Sequence, residues 1–289
     1  MSRTVKVGVF QMKMAEDVGT NVKRAVEFIH KTADQGAQVV VTPELFASLY
    51  FCQKEDPAYF GLAEPIPGPT SKKLGEVAKE RGITVVGSLF EKRAAGLYHN
   101  TAVVMDKRGE MVGKYRKMHI PDDPNYYEKY YFTPGDLGFQ AFPTEHANIG
   151  TLVCWDQWYP EGARLTAMKG AEVLTYPTAI GAHHGREPEG VPARQRDAWE
   201  TIQRSHAIAN GVFVAVANRV GVEEEMTFWG NSFICGPLGQ VLKRGSTDKE
   251  EVLVAECDLD EIEVTREGWP FFRDRRIDAY TPITQRFLD

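Results

Sequence analysis

The chain has 289 residues, 43% hydrophobic and 26% charged, which is ordinary globular usage and excludes a disordered or low-complexity chain. Its 34 basic and 40 acidic residues give a formal charge of −6, against a nucleic-acid binder, which needs a basic face to release counterions from phosphate. No stretch approaches the ~18 consecutive apolar residues of a membrane span, and the N-terminal MSRTVKVGVFQM lacks the apolar core and cleavage site of a secretion signal.

In chain order, VKVGVF (5–10) reads as a buried strand. Val22, Ala25, Val26 and Ile29 at helical spacing predict a helix over 21–35, stopped by Gly36. AQVVVTPELF (37–46) is a second strand, apolar enough to be covered on both faces. Thr70 can cap a helix running to Arg81, with Gly82 after it. ITVVGSLFE (83–91) and HNTAVVMD (99–106) are strands joined as a hairpin through AAGLY, and MVGKYRK (111–117) follows a turn. Residues 119–148 hold prolines, glycines, acids and many aromatics without a period, the character of a functional loop. NIGTLVCW (148–155) returns as a strand, followed by a helix over 161–169 and the strand AEVLTYP (171–177). A second polar loop covers 180–192 and a helix 193–210. GVFVAVANRV (211–220), NSFICGP (231–237), GQVLKRG (239–245) and EVLVAECDL (251–259) are strands. The tail from Trp269 to Asp289 is aromatic and charged without clear periodicity.

No composition break or repeat divides the chain, so one α/β domain over 1–289 is expected, with two sheets packed face to face and helices outside. The four cysteines, Cys52, Cys154, Cys235 and Cys257, form no CxxC pair and are too scattered for a disulfide framework or zinc knuckle. A cytoplasmic protein is expected. His183 and His184 lack further ligands at metal spacing, so no metal site is expected.

Three positions carry chemistry. Cys154 ends an apolar strand and precedes a turn into a helix near Pro160. Such a turn exposes a nucleophile and offers backbone N–H groups to a thiolate and an oxyanion. The other cysteines read as small buried hydrophobes. Glu44 directly follows an apolar strand, where a buried carboxylate can exchange a proton near neutral pH. Alternation puts Tyr115 and Lys117 on one face, leaving Lys114 and Arg116 to solvent, and an inward lysine would serve an oxyanion.

TPELF, YRKMHIP and CWDQWYPE, in this order and each at the end of an apolar strand, together resemble the nitrilase superfamily and its Glu–Lys–Cys triad. The resemblance runs from VKVGVFQM to the RRID segment. It implies a four-layer αββα sandwich. It also implies Glu44 as general base, Lys117 with the Trp155 backbone N–H as oxyanion donors, Cys154 as nucleophile, and Glu128 as a second glutamate beside the lysine. No cofactor is implied. Assembly as a homo-oligomer, dimer or higher, through a tail at about 269–289 and helices is implied as well.

Relatives acting on carbamoyl amino acids carry an arginine pair shortly after the nucleophile, where this chain has Gln157 and Trp158. A cationic carbamoyl amine is therefore the expected substrate, since it wants an aromatic wall and a carboxylate. Of the aromatics and acids in the two loops, Tyr130, Trp155, Trp158 and Glu187 are the expected substrate contacts. An ω-amidase or β-ureidopropionase-like enzyme is the alternative within the superfamily. Outside it, Glu44 and Glu128 as a glycosidase pair would leave Cys154 and Lys117 unused.

Overall fold

The computed structural model describes residues 3–288. Period-two alternation sets its layers. In β1 (Thr4–Gln11), Val5, Val7 and Val9 join one apolar cluster and Phe10 another. In β2 (Val39–Val41), Val39 and Val41 join the first cluster and Val40 the second. Val86 and Val85 divide the same way in β3 (Thr84–Ala94), as do Val104 and Val103 in β4 (Leu97–Met105). The second cluster is closed by α1 (Val18–Asp34) and α2 (Pro69–Arg81), through Phe28, Ile29, Leu74 and Val77. The Asp17 carboxylate caps α1 by accepting from the Thr20 N–H at 2.6 Å. Gly82, at φ 64°, ends α2 in the left-handed conformation.

β5 (Met111–Arg116) follows β4, and the short α3 (Glu128–Tyr131) and β6 (Ala141–Pro143) lie inside the expected loop 119–148. Then come β7 (Asn148–Thr151), α4 (Pro160–Met168), β8 (Val173–Thr178), β9 (Gly181–His183), α5 (Val191–Asn210) and β10 (Phe213–Asn218). The remaining elements are β11 (Val220–Glu223), β12 (Met226–Trp229), β13 (Phe233–Cys235), β14 (Val241–Arg244), β15 (Glu251–Asp258) and α6 (Asp260–Gly268).

The first sheet has the order β15-β1-β2-β3-β4-β5 and the second β14-β13-β10-β8-β7-β6. β1, β2 and β3 pair in parallel, because α1 and α2 provide the crossovers. The β3–β4 hairpin turns at Gly96, φ 73°, as its sequence predicts. The two sheets face each other across the first cluster, with α4 and α5 outside the second sheet. This is the expected αββα sandwich.

Three of the boundaries that differ from expectation redirect the chain. The apolar run 37–46 is a strand only over Val39–Val41, and the rest forms the turn that carries Glu44. The run 211–220 splits at Asn218, whose side chain bonds Ile180 and Gly230 and directs the chain into a third sheet, β11-β12-β9. The loop 180–192 accordingly opens with a strand. Among the described residues, no helix is long and apolar enough to cross a membrane.

Candidate active site

Neighbouring strands of the first sheet deliver one polar cluster to a shared end. Glu44 follows β2, Ser88 lies on β3, Asn100 on β4, and Lys117 directly follows β5. The Lys117 N–H donates to the Asn100 carbonyl at 2.9 Å, which continues the β4–β5 ladder and aims the lysine inward. Lys117 Nζ donates to Glu44 Oε1 at 2.9 Å and to Glu128 Oε2 at 2.6 Å. All three side chains are fully buried. A buried charge needs such partners, because its lost hydration is otherwise uncompensated.

Glu44 is oriented from several sides. Asn100 Nδ2 donates to Oε1 at 2.7 Å, while Asn100 Oδ1 accepts from the Ser88 hydroxyl, which fixes the amide orientation. Glu44 Oε2 is buried and has no hydrogen-bond partner, leaving one carboxylate oxygen for a proton. The next residue, Leu45, has φ 47°, and Arg219 donates to the Glu44 and Leu45 carbonyls at 2.7 and 3.2 Å. On the far side, Glu128 Oε1 accepts from the Tyr50 hydroxyl at 2.6 Å.

Cys154 sits where β7 gives way to a 3-10 turn, Cys154–Trp158, and its φ of 44° is in the left-handed region. A non-glycine residue there stores strain of the kind found at functional sites. Its Sγ lies 3.8 Å from the Ala179 carbonyl. Burial pushes the thiol pKa up, Glu44 adds to the rise, and the Lys117 ammonium opposes it. Burial lowers the Lys117 pKa, but Glu128, Glu44 and the thiolate outweigh it, so the amine stays protonated. Burial raises the Glu128 carboxyl to about 7, only partly offset by Lys117.

Cys154 opens onto a cavity of about 300 Å³. Trp155, Trp158, Trp229 and Tyr126 give it aromatic walls, with the two tryptophans of the Cys154 turn edge-to-face at 6.4 Å. Asp123 and Glu187 also line it, and the lining holds no lysine or arginine among the described residues.

Glu44, Lys117 and Glu128 thus meet, and Cys154, Trp155, Trp158 and Glu187 share the cavity. Tyr130 does not line that cavity: it is 37% exposed and packs on Phe60 and Tyr131. In α3, two positions at 100° each turn Tyr130 to the side opposite Glu128, while Tyr131 points inward with it. Lys114 and Arg116 do leave the Lys117 face, but Arg116 is buried, not solvated, because both pair with Glu91. Asn100, Tyr50, Arg219 and the cavity residue Asp123 were not among the expected site residues. A lone asparagine or arginine inside an apolar strand run was the available signal for two of them.

Among the described residues, no group of three or more His, Cys, Asp or Glu side chains is placed to hold a metal ion.

The helix–sheet–sheet–helix frame thus carries this polar cluster at the ends of its strands. The carbon-nitrogen hydrolase family model matches residues 6–267, and the chain belongs to that family. It is 43% identical over 288 residues to the N-carbamoylputrescine amidase of Solanum lycopersicum, covering 96% of this chain and 94% of the relative. It is 37% identical over 288 residues to a citrullinase of Francisella tularensis, covering 98% and 99%. A crystal structure of a carbon-nitrogen hydrolase from Helicobacter pylori G27 superposes with a TM-score of 0.95 at 45% identity, covering 99% of this chain and 100% of that one.

Proposed function

We propose that this enzyme hydrolyses N-carbamoylputrescine to putrescine, carbon dioxide and ammonia. Glu44 Oε2 takes the Cys154 proton as sulfur attacks the carbamoyl carbon. Lys117 and the Trp155 backbone N–H hold the oxyanion, where charge develops. Glu44 returns the proton to the departing ammonia, leaving a thiocarbamate on sulfur. Glu44 then takes a proton from water, whose oxygen displaces the sulfur, and the released carbamate loses carbon dioxide to give the amine. Glu128 holds Lys117 and balances its charge.

The observation that carries the substrate reading is the cavity wall, with Asp123, Glu187 and tryptophans but no lysine or arginine among the described residues. A cationic amine gains a carboxylate and aromatic faces there, whereas a carboxylate would lose its hydration with no cationic partner. Glu187 is the proposed ammonium partner, with Trp155 and Trp158 as the aromatic wall. The four cysteines are free and buried, which fits a cytoplasmic enzyme. The exposed Ile277, Ile283, Phe287 and Leu288 fit a homo-oligomer whose tail covers a second subunit, around a single hydrolase domain.

The test is ammonia release from N-carbamoylputrescine, carbamoyl-β-alanine, citrulline and glutamine. Citrulline bears both an ammonium and a carboxylate at the end remote from its ureido group. The reading requires N-carbamoylputrescine to have the highest kcat/KM, and equal values for carbamoyl-β-alanine would overturn it.

A further inference from the structure

Asp156 lies two residues after Cys154 and is fully buried. Its carboxylate accepts four hydrogen bonds. Oδ2 accepts from the Val153 N–H at 3.0 Å and from the Tyr115 hydroxyl at 2.8 Å. Oδ1 accepts from the His119 N–H at 3.0 Å and from His119 Nδ1 at 2.7 Å. These donors come from two places only. Val153 immediately precedes Cys154, while Tyr115 and His119 flank Lys117 by two residues on either side. The Tyr115 hydroxyl also accepts from the Met118 N–H at 3.3 Å, and the His119 ring stacks on Tyr159 at 3.8 Å. The turn bearing the thiol and the strand end bearing the ammonium therefore share one carboxylate.

We infer that Asp156 is a positioning residue that sets the separation between the Lys117 ammonium and the Cys154 sulfur. The inference rests on the catalytic reading of those two side chains. A left-handed residue at 154 needs outside support to persist, and the Asp156–Val153 bond closes the turn around it. The bonds to Tyr115 and His119 tie the same turn to the opposite sheet. A carboxylate suits the post because all four contacts are donors. An asparagine must present its NH₂ to one pair of them, breaking one side of the bridge while keeping size and shape.

The test compares Asp156→Asn, Tyr115→Phe and Cys154→Ala with the parent. Two readouts are used: turnover of N-carbamoylputrescine per folded site, and the pH profile of Cys154 alkylation by iodoacetamide, followed by peptide mass spectrometry. For Asp156→Asn, kcat should fall about a hundredfold, the scale of a misplacement near 1 Å, with KM little changed. Its alkylation profile should move to higher pH, because a more distant ammonium stabilises the thiolate less. Tyr115→Phe removes one donor of the four and should show both effects more weakly. A merely structural Asp156 would lower the melting temperature while leaving kcat per folded site and the alkylation profile at parental values, and that result overturns the inference. Should Asp156→Asn fail to fold, Tyr115→Phe decides: parental kcat and profile overturn it. A dead Cys154→Ala beside an unimpaired Asp156→Asn removes the positioning role alone. An active Cys154→Ala removes the catalytic reading beneath it.

Discussion

The guanidinium of Arg219 donates to the main-chain carbonyl of Glu44 at 2.7 Å. Arg219 is fully buried between β10 and β11 and also reaches the Leu45 and Ser48 carbonyls. Its charge is balanced by Glu223 at 3.0 Å, which accepts in turn from the Tyr50 N–H. One buried ion pair thereby holds the turn that presents Glu44 and the backbone of the tyrosine that bonds Glu128.

Removing the arginine leaves Glu223 buried and unpaired. Arg219→Met should cost about 3–5 kcal/mol in urea denaturation. The double variant Arg219→Met/Glu223→Met should recover much of that stability, since apolar groups of similar volume can replace a buried pair. Its kcat should stay low, because the Glu44 turn has still lost its clamp. Full recovery of kcat in the double variant would show that the pair serves stability only.

Cys154→Ala should fold and lose hydrolysis by about four powers of ten or more, the scale of removing a nucleophile. Cys154→Ser should be nearly as inactive, since a carboxylate is too weak a base to activate a hydroxyl. Near-normal ammonia release from either variant would exclude attack by sulfur.

The raised pKa of Glu128 has a signed consequence for stability. The folded protein keeps this proton up to about 7, whereas the unfolded chain releases it near the ordinary glutamate value of 4.5. The stabilisation is therefore complete below about 4.5 and is lost as pH rises through about 7. Relative to Glu128→Gln, which cannot ionise, the parent should lose stability as pH rises across that window. Urea denaturation at several pH values measures it, and a stability difference that does not change with pH would contradict the assignment.

Charge at the far end of the cavity should govern selectivity. Glu187→Gln should raise KM for N-carbamoylputrescine about ten- to hundredfold, the cost of leaving one charged group unpaired. A neutral carbamoyl alkane should be affected far less. If both substrates respond alike, Glu187 is not the ammonium partner, and Asp123 is the next candidate on the same wall.

The tail offers a further check. Ile277 and Phe287 are 71% and 80% exposed, and Leu165 and Met168 on α4 are exposed as well. Light scattering should give a mass of a dimer or larger, and Ile277→Asp/Phe287→Asp should shift it towards the monomer. A monomeric parent would exclude the tail as a subunit contact.

Most strands, the hairpin at Gly96 and the helix end at Gly82 follow from the sequence by itself. Periodicity and backbone freedom are local properties, written every two or four residues. Glu44, Lys117 and Cys154 stand out in the sequence for a similar reason: each lies at the end of an apolar run, where a strand leaves the core. Glu128 came from resemblance, and Glu187 from the need for an acid in a polar loop. Tertiary structure decided what surrounds them. It turned Tyr130 outwards through the helical rotation of α3, brought Asp123 and His183 to the cavity, and set Asn100, Arg219 and Asp156 against the triad. Arg219 bonds partners 171 to 175 positions away, and Asp156 bonds Tyr115 across 41. A buried polar group takes whichever donors or acceptors packing brings within about 3 Å. That choice depends on how two sheets and their loops meet, which no local pattern along the chain encodes.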